Sequence, residues 1–172
     1  MERLKRNPGG WGLALGGAIG FVSIFFSWMS VTNTAANVTS SVPAFRAVSG
    51  QTLGFLALLV ALAGLGVSAS QGSGRIWYGI IGLLGAAVLL AAGLLAIFSP
   101  STIAQLFATT QTMSKLALTS VQNSINETVK AGFADGTLTA SVGFGAILGT
   151  IGGLLGVLGA IFGFRKKQPS VD

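Results

Sequence analysis

Four long apolar runs divide the chain, covering about Trp11–Met29, Leu53–Ala69, Ile76–Phe98 and Val142–Phe164, and no charged residue falls inside any of them. Each is roughly 17–23 residues long; as a helix rising ~1.5 Å per residue it reaches ~25–35 Å, the depth of a bilayer's hydrocarbon core. One such run could be the core helix of a soluble protein. Four in so short a chain predict membrane insertion. The expected fold is an all-α membrane protein: an antiparallel four-helix transmembrane bundle, with 1–172 forming a single membrane domain.

Between the spans lie two longer loops, 30–52 and 99–141, predicted to face outward. Ser30–Gly50 is rich in Thr, Ser, Asn, Ala and Val, and its β-branched residues suit extended backbone. Gly136–Val142 alternates in part, so the two segments can pair as a short outer sheet. Ser99–Gly132 predicts an amphipathic helix in the second outer loop, or two helices broken near Thr112–Ser114. Ser99 suits a cap, Pro100 the first helical position and Gly132 the stop. Ile103, Leu106, Phe107, Met113, Ala117, Leu118, Val121 and Ile125 fall on one side of its wheel. Gln105, Lys115, Asn123, Asn126, Glu127 and Lys130 lie mostly opposite. That apolar face has three places to go: the membrane surface, the outer end of the bundle, or a partner.

Composition agrees with lipid as the solvent. The chain has 172 residues, 51% of them hydrophobic and only 8% charged, against about 25% charged in ordinary soluble domains. The net charge of +6 is concentrated at the ends: Arg3, Lys5, Arg6 and Arg165, Lys166, Lys167 flank the first and last spans. Arg75 lies in the middle turn, Arg46 in the first outer loop, and Lys115 and Lys130 in the second. That excess places both termini in the cytoplasm of a multi-pass cell-membrane protein. No basic face with interleaved aromatics exists, so nucleic acid is not an expected partner. Met1–Arg6 before an apolar run resembles a secretory signal, with Thr34-Ala35-Ala36 as a weak cleavage site. The run of ~19 residues exceeds the usual ~7–15 of a signal core, so an uncleaved helix is expected. Trp11, Trp28 and Trp77 fall near the expected span ends, where indole favours the interface.

Glycine is concentrated in the spans. Gly12, Gly16 and Gly20 recur at intervals of four in the first. Gly145, Gly149, Gly152, Gly153, Gly156, Gly159 and Gly163 crowd the fourth, mostly on one face. Ala57, Ala61 and Gly64 make a weaker stripe in the second, and Gly79, Gly82 and Ala86 in the third. Lipid tails are as apolar as leucine, so helices associate in a membrane through close packing, which small residues permit. The glycines are therefore expected to pack the bundle, with docking of another copy or another protein as the second use.

Reactive chemistry is sparse. The chain has no cysteine and no histidine, which removes the common ligands of zinc, copper, haem and iron–sulfur clusters. The acidic residues are Glu2, Glu127, Asp135 and Asp172; none is paired by motif for acid–base or nucleophilic work. The few hydroxyls in the spans, Ser23, Ser27 and Thr150, are expected to bond back to their own helix. No catalytic, cofactor-binding or metal residue is assigned, and no cofactor is expected. Asn37-Val38-Thr39 and Asn126-Glu127-Thr128 are glycosylation sequons in the outer loops. In layout, a small first outer loop and a larger helical second one, the chain resembles tetraspanins and claudins. The cysteine-bearing loop motifs of those families are absent, so the resemblance carries no function.

The functional expectation is a non-enzymatic integral membrane protein, an accessory or structural subunit of a larger membrane assembly. Its partners would be the lipid bilayer and other membrane proteins or copies of itself. The alternative is an oligomeric passive channel or small-solute permeation protein, since a carbonyl-lined pore needs no charge. Recognition is expected at the outer helix 101–131 or at a glycine face.

Overall fold

The computed structural model describes residues 7–70, 73–113 and 119–164, with the side chains of 108–126 and 164 outside the description. The chain is mostly helical. Helices α1 (Pro8–Ser23), α2 (Val48–Ala69), α3 (Ser73–Phe98) and α6 (Phe144–Phe164) pack around one another, α1 and α3 each lying against both α2 and α6. Helices α4 (Pro100–Met113) and α5 (Thr119–Ala134) follow α3, and three strands complete the end of the bundle where α1 stops, the end whose loops were expected to face outward: β1 (Ser27–Asn33), β2 (Val38–Pro43) and β3 (Leu138–Val142).

Three of the four bundle helices are long and apolar enough to cross a membrane: Val48–Ala69, Ser73–Phe98 and Phe144–Gly163. The first expected span, 11–29, is shortened. Helix α1 has 16 residues, about 24 Å at ~1.5 Å per residue, and the chain turns at Ile24–Phe26 into β1. Tertiary packing sets this stop. Trp28 reaches back so that its indole N–H donates to the Ser23 carbonyl at 3.0 Å, satisfying one of the acceptors that every helix leaves open at its C-terminus. At the other end Asn7 caps the helix: its Oδ1 accepts the Gly10 N–H and Pro8 occupies the first turn. Its Nδ2 donates to the Val67 carbonyl of α2.

The all-α expectation is corrected by a three-stranded antiparallel sheet of order β2-β1-β3. Local chemistry makes the β1–β2 hairpin. Asn33 Oδ1 accepts the Ala35 and Ala36 N–H groups, and Asn37 takes a left-handed φ of 52°, which Asn tolerates better than most residues. The long-range pair β1–β3 joins the two segments whose composition suited extended backbone. Alternation along the strands sorts the side chains. Val31, Val42, Ala140 and Val142 pack inward. Outward stand two rungs of hydroxyls, each spanning all three strands: Ser41, Ser30 and Ser141, then Thr39, Thr32 and Thr139. Thr32 Oγ1 and Thr39 Oγ1 lie 2.9 Å apart.

The outer helix is two helices, and the break near Thr112–Ser114 falls at 114–118, outside the described residues. Helix α5 runs two residues past Gly132, which is buried because a Cβ there would come 2.8 Å from Leu138 Cδ1. The turn is made at Gly136, with φ +81°, a conformation that glycine adopts without the Cβ penalty.

Two cores hold the molecule. An inner one gathers Leu13 of α1, Val60 and Val67 of α2 and Leu89 of α3 among alanines of α2, α3 and α6. The outer one joins Ile24, Trp28 and Met29 to Ala44, Ala47, Ala96 and Ala146, and to Ile103, Ala104 and Phe107 of α4. Of the three places open to the amphipathic segment, α4 takes the outer end of the bundle.

Candidate functional site

The two places where recognition was expected fare differently. The glycine faces are used inside the chain. On α1, a Cβ at Gly16 would lie 2.5 Å from the Gly152 carbonyl oxygen and 2.8 Å from Gly156 Cα, and one at Gly12 3.1 Å from Gly159 Cα. Gly17 faces α2 instead, where a Cβ would lie 2.7 Å from both the Ala57 oxygen and Ala61 Cα. Helix α1 is thus held between two neighbours at backbone contact. The glycines of α6 do not share one face's duty. Gly152, Gly159 and Gly163 approach α1, Gly153 approaches Leu90 of α3, and Gly145 and Gly149 make room for the Trp28 ring.

The hydroxyls are also spent internally. Ser23 Oγ donates to the Gly20 oxygen at 2.7 Å, Ser68 Oγ to Gly64 at 3.0 Å and Thr150 Oγ1 to Ala146 at 2.8 Å, all back-bonds within one helix. Ser27 is the exception: it lies in β1 and donates to the Met29 oxygen. Arg75, at the start of α3, donates to the Gly163 carbonyl near the end of α6, the pole of a helix where a cation is favoured.

What remains presentable is the outer cap, the sheet together with α4. Trp28 is its hub and is 0% exposed; the expectation that it sits at the lipid interface is corrected. Its neighbours explain why: Gly145 and Gly149, one turn apart on α6, leave a slot for the ring, and a Cβ at either would meet it at 2.5 and 2.8 Å. Phe107 of α4 closes over it, ring centroids 6.5 Å apart. Trp11 and Trp77 are exposed. Within α4 the buried face is Ile103, Ala104 and Phe107, while Leu106 is exposed rather than part of it. Of the other apolar positions assigned to that face, Met113, Ala117, Leu118, Val121 and Ile125 lie outside the described side chains.

Phe107 is therefore the anchor of α4. Phe107→Ala should remove about 3–5 kcal/mol of packing, and the loss should stay local. Hydrogen exchange is expected to accelerate through 100–113 while amides of α1 and α6 remain protected.

Among the described residues, the acidic side chains Glu127 and Asp135 do not gather into a metal site. Glu2 and Asp172 lie outside the described residues, and Glu127 is exposed on α5. Asp135 stands at the turn into β3, where the backbone N–H and then the hydroxyl of Thr137 hold its carboxyl below the usual value. The carboxylate accepts both, at 2.9 and 2.7 Å. A carboxyl depressed in the folded state stabilises above its unfolded value, and that contribution is lost as pH falls through the folded one. Acidification below about pH 4 should therefore loosen the 135–138 turn, read as faster amide exchange there, and Asp135→Asn should abolish the pH dependence.

Among the described residues, no group of three or more His, Cys, Asp or Glu gathers as a metal site would require. Of the two sequons, Asn37 sits exposed at the hairpin tip and Asn126 falls within α5. Trp28 and the hydroxyl rungs are the features a reading of the sequence missed. The i, i+4 pair Gly145/Gly149 was the available signal for the first, and an [ST]-x-[ST] triplet in each strand (Ser30-Val31-Thr32, Thr39-Ser40-Ser41, Thr139-Ala140-Ser141) for the second. The chain matches no protein-family model, no curated protein and no solved structure.

Proposed function

We propose that the protein is a non-enzymatic, four-span integral membrane protein with both termini in the cytoplasm, serving as an accessory or structural subunit of a larger membrane assembly. The observation that carries this reading is the division of labour between bundle and cap. The helices meet at backbone contact along α1, where Gly16 and Gly17 admit no side chain, and the hydroxyls of α1, α2 and α6 bond within their own helices. Such a bundle is suited to holding shape. The cap, by contrast, offers surface of a kind partners use. Strand β2 is an edge of the sheet and carries no charge from Val38 to Pro43, and natural edge strands left without charge or cover are templates for pairing. Both termini inside follows from the basic flanks, and α1 counts as a span because Phe25 and Phe26 extend its apolar surface past Ser23.

Purification in mild detergent followed by native mass spectrometry tests the proposal. A stoichiometric complex, with another protein or a second copy, is expected; a bare monomer under several gentle conditions would sink it. The channel alternative draws less support, because the glycine faces of α1 are closed at backbone contact and the side it leaves exposed carries the apolar Leu15 and Val22. Flux of ions, water and small neutral solutes through proteoliposomes should stay at the level of protein-free vesicles.

A further inference from the structure

The exposed phenylalanines are not scattered. Among the described residues, five of the seven that are exposed lie at the outer end of the bundle: Phe25, Phe26, Phe45, Phe98 and Phe144. Phe25 and Phe26 follow the end of α1, Phe45 precedes α2, Phe98 ends α3 and Phe144 begins α6. Every bundle helix therefore carries one where it meets the cap. Two pairs bridge neighbouring helices, Phe25–Phe45 with centroids 5.8 Å apart and Phe26–Phe144 at 5.6 Å edge to face. Phe98, on α3 away from both pairs, is 79% exposed.

We infer that these rings form a girdle that fixes where the acyl chains of the outer leaflet stop, at the base of the sheet. The inference rests on the membrane reading above and adds to it a boundary plane and the lipid region that meets it. Three observations select lipid as the occupant. The rings are shared among all four bundle helices, two at the end of α1 and one each at α2, α3 and α6, whereas a protein partner covers one side. They continue the exposed Leu, Ile and Val belt of the helices, such as Leu59, Leu94 and Ile147. They are also purely apolar. At the opposite end the exposed aromatics include Trp11, Trp77 and Tyr78, whose rings carry a polar handle suited to the headgroup layer. Phenylalanine has none and belongs just inside the hydrocarbon. The first hydroxyl rung follows at once: Ser141 is three residues from Phe144, past Gly143 and the end of β3, which sets Ser41, Ser30 and Ser141 next to the girdle, at the ester and phosphate oxygens.

The cysteine-free chain allows a direct test. Phe25→Cys, Phe45→Cys, Phe98→Cys and Phe144→Cys, each carrying a nitroxide, are reconstituted in phosphatidylcholine–phosphatidylglycerol vesicles beside Leu59→Cys and Thr139→Cys. Depth is read from the ratio of oxygen to nickel-chelate collision rates, and a near-ultraviolet circular dichroism spectrum unchanged from the parent's confirms folding. The four phenylalanine positions should share one depth within about one helical turn, ~5 Å, shallower than Leu59 and deeper than Thr139. Scatter beyond that, or nickel contact equal to that of Thr139, overturns the girdle while a buried Leu59 keeps the membrane reading intact. A water-exposed Leu59 label overturns both.

Discussion

Gly16→Leu should unfold the bundle. No rotamer helps, because the clash begins at Cβ: the Gly152 oxygen would be 2.5 Å away and Gly156 Cα 2.8 Å, and both are backbone. Ordinary overpacking costs about 1–3 kcal/mol because side chains shift to make room. Here a whole helix must move, and α1 is pinned on its other side by the same kind of contact at Gly17. A loss above ~3 kcal/mol is expected on that scale, seen as a red-shifted Trp28 emission, loss of monodispersity in detergent and a collapsed thermal transition. Gly74→Ala is the control. Among the described residues a Cβ there would meet only Ser70, its Cβ at 3.7 Å and Oγ at 3.9 Å, both at ordinary contact distance, and stability should be unchanged. If Gly16→Leu melts like the parent, the α1–α6 seam does not exist as described.

The second large effect is at Trp28. Trp28→Ala removes the largest fully buried side chain in the described molecule and should cost about 3–5 kcal/mol. It should also uncouple α4 from the bundle, since Phe107 packs on that ring. Trp28→Phe separates ring from hydrogen bond. It keeps most of the packing and loses the indole N–H donated to Ser23. Because the Ser23 carbonyl also accepts the Phe26 N–H at 3.2 Å, it is not left bare. The deficit should approach the ordinary net worth of a hydrogen bond, about 1 kcal/mol, plus whatever the smaller ring leaves unfilled. Chemical denaturation followed by near-ultraviolet circular dichroism ranks the three proteins. Equal losses in the two variants would show that the hydrogen bond, not the packing, dominates.

What could be read without coordinates follows the range of the forces involved. The ends of α2 and α3 and the start of α6 lie within a few residues of their expected positions, because an apolar run bounded by turn residues is a local signal. The sheet was half legible: composition and alternation suggested that the two outer segments pair, but the β1–β2 hairpin within the first of them and the register of all three strands depend on the helices that bring Leu138–Val142 beside β1. Trp28 was misread because indole belongs at a membrane surface as readily as in a protein core, and only the facing Gly145/Gly149 slot decides between them. The stripe in α6 was visible as composition, yet its division among α1, α3 and the indole depends on rotation angles that spacing alone does not define. Leu106 was placed on the buried face, and Ala104 left out of it, for the same reason, since one residue of rotation about a helix is ~100°.

The central place of β1 also governs the order of assembly. Its hairpin partner β2 emerges from the ribosome within a few residues, but β3 and the two glycines that admit Trp28 follow only after two further spans and both outer helices have been made. Until then β1 has one unpaired side and the indole has no slot, so the cap cannot close on a nascent chain. Closure is a single late event that depends on contacts of high sequence separation, the slow and aggregation-exposed step of folding. The last span thus works as a clasp. A chain interrupted before Leu138 leaves β1 with one unpaired side and Trp28 without its slot, a form that differs from the finished protein in both strand pairing and tryptophan burial.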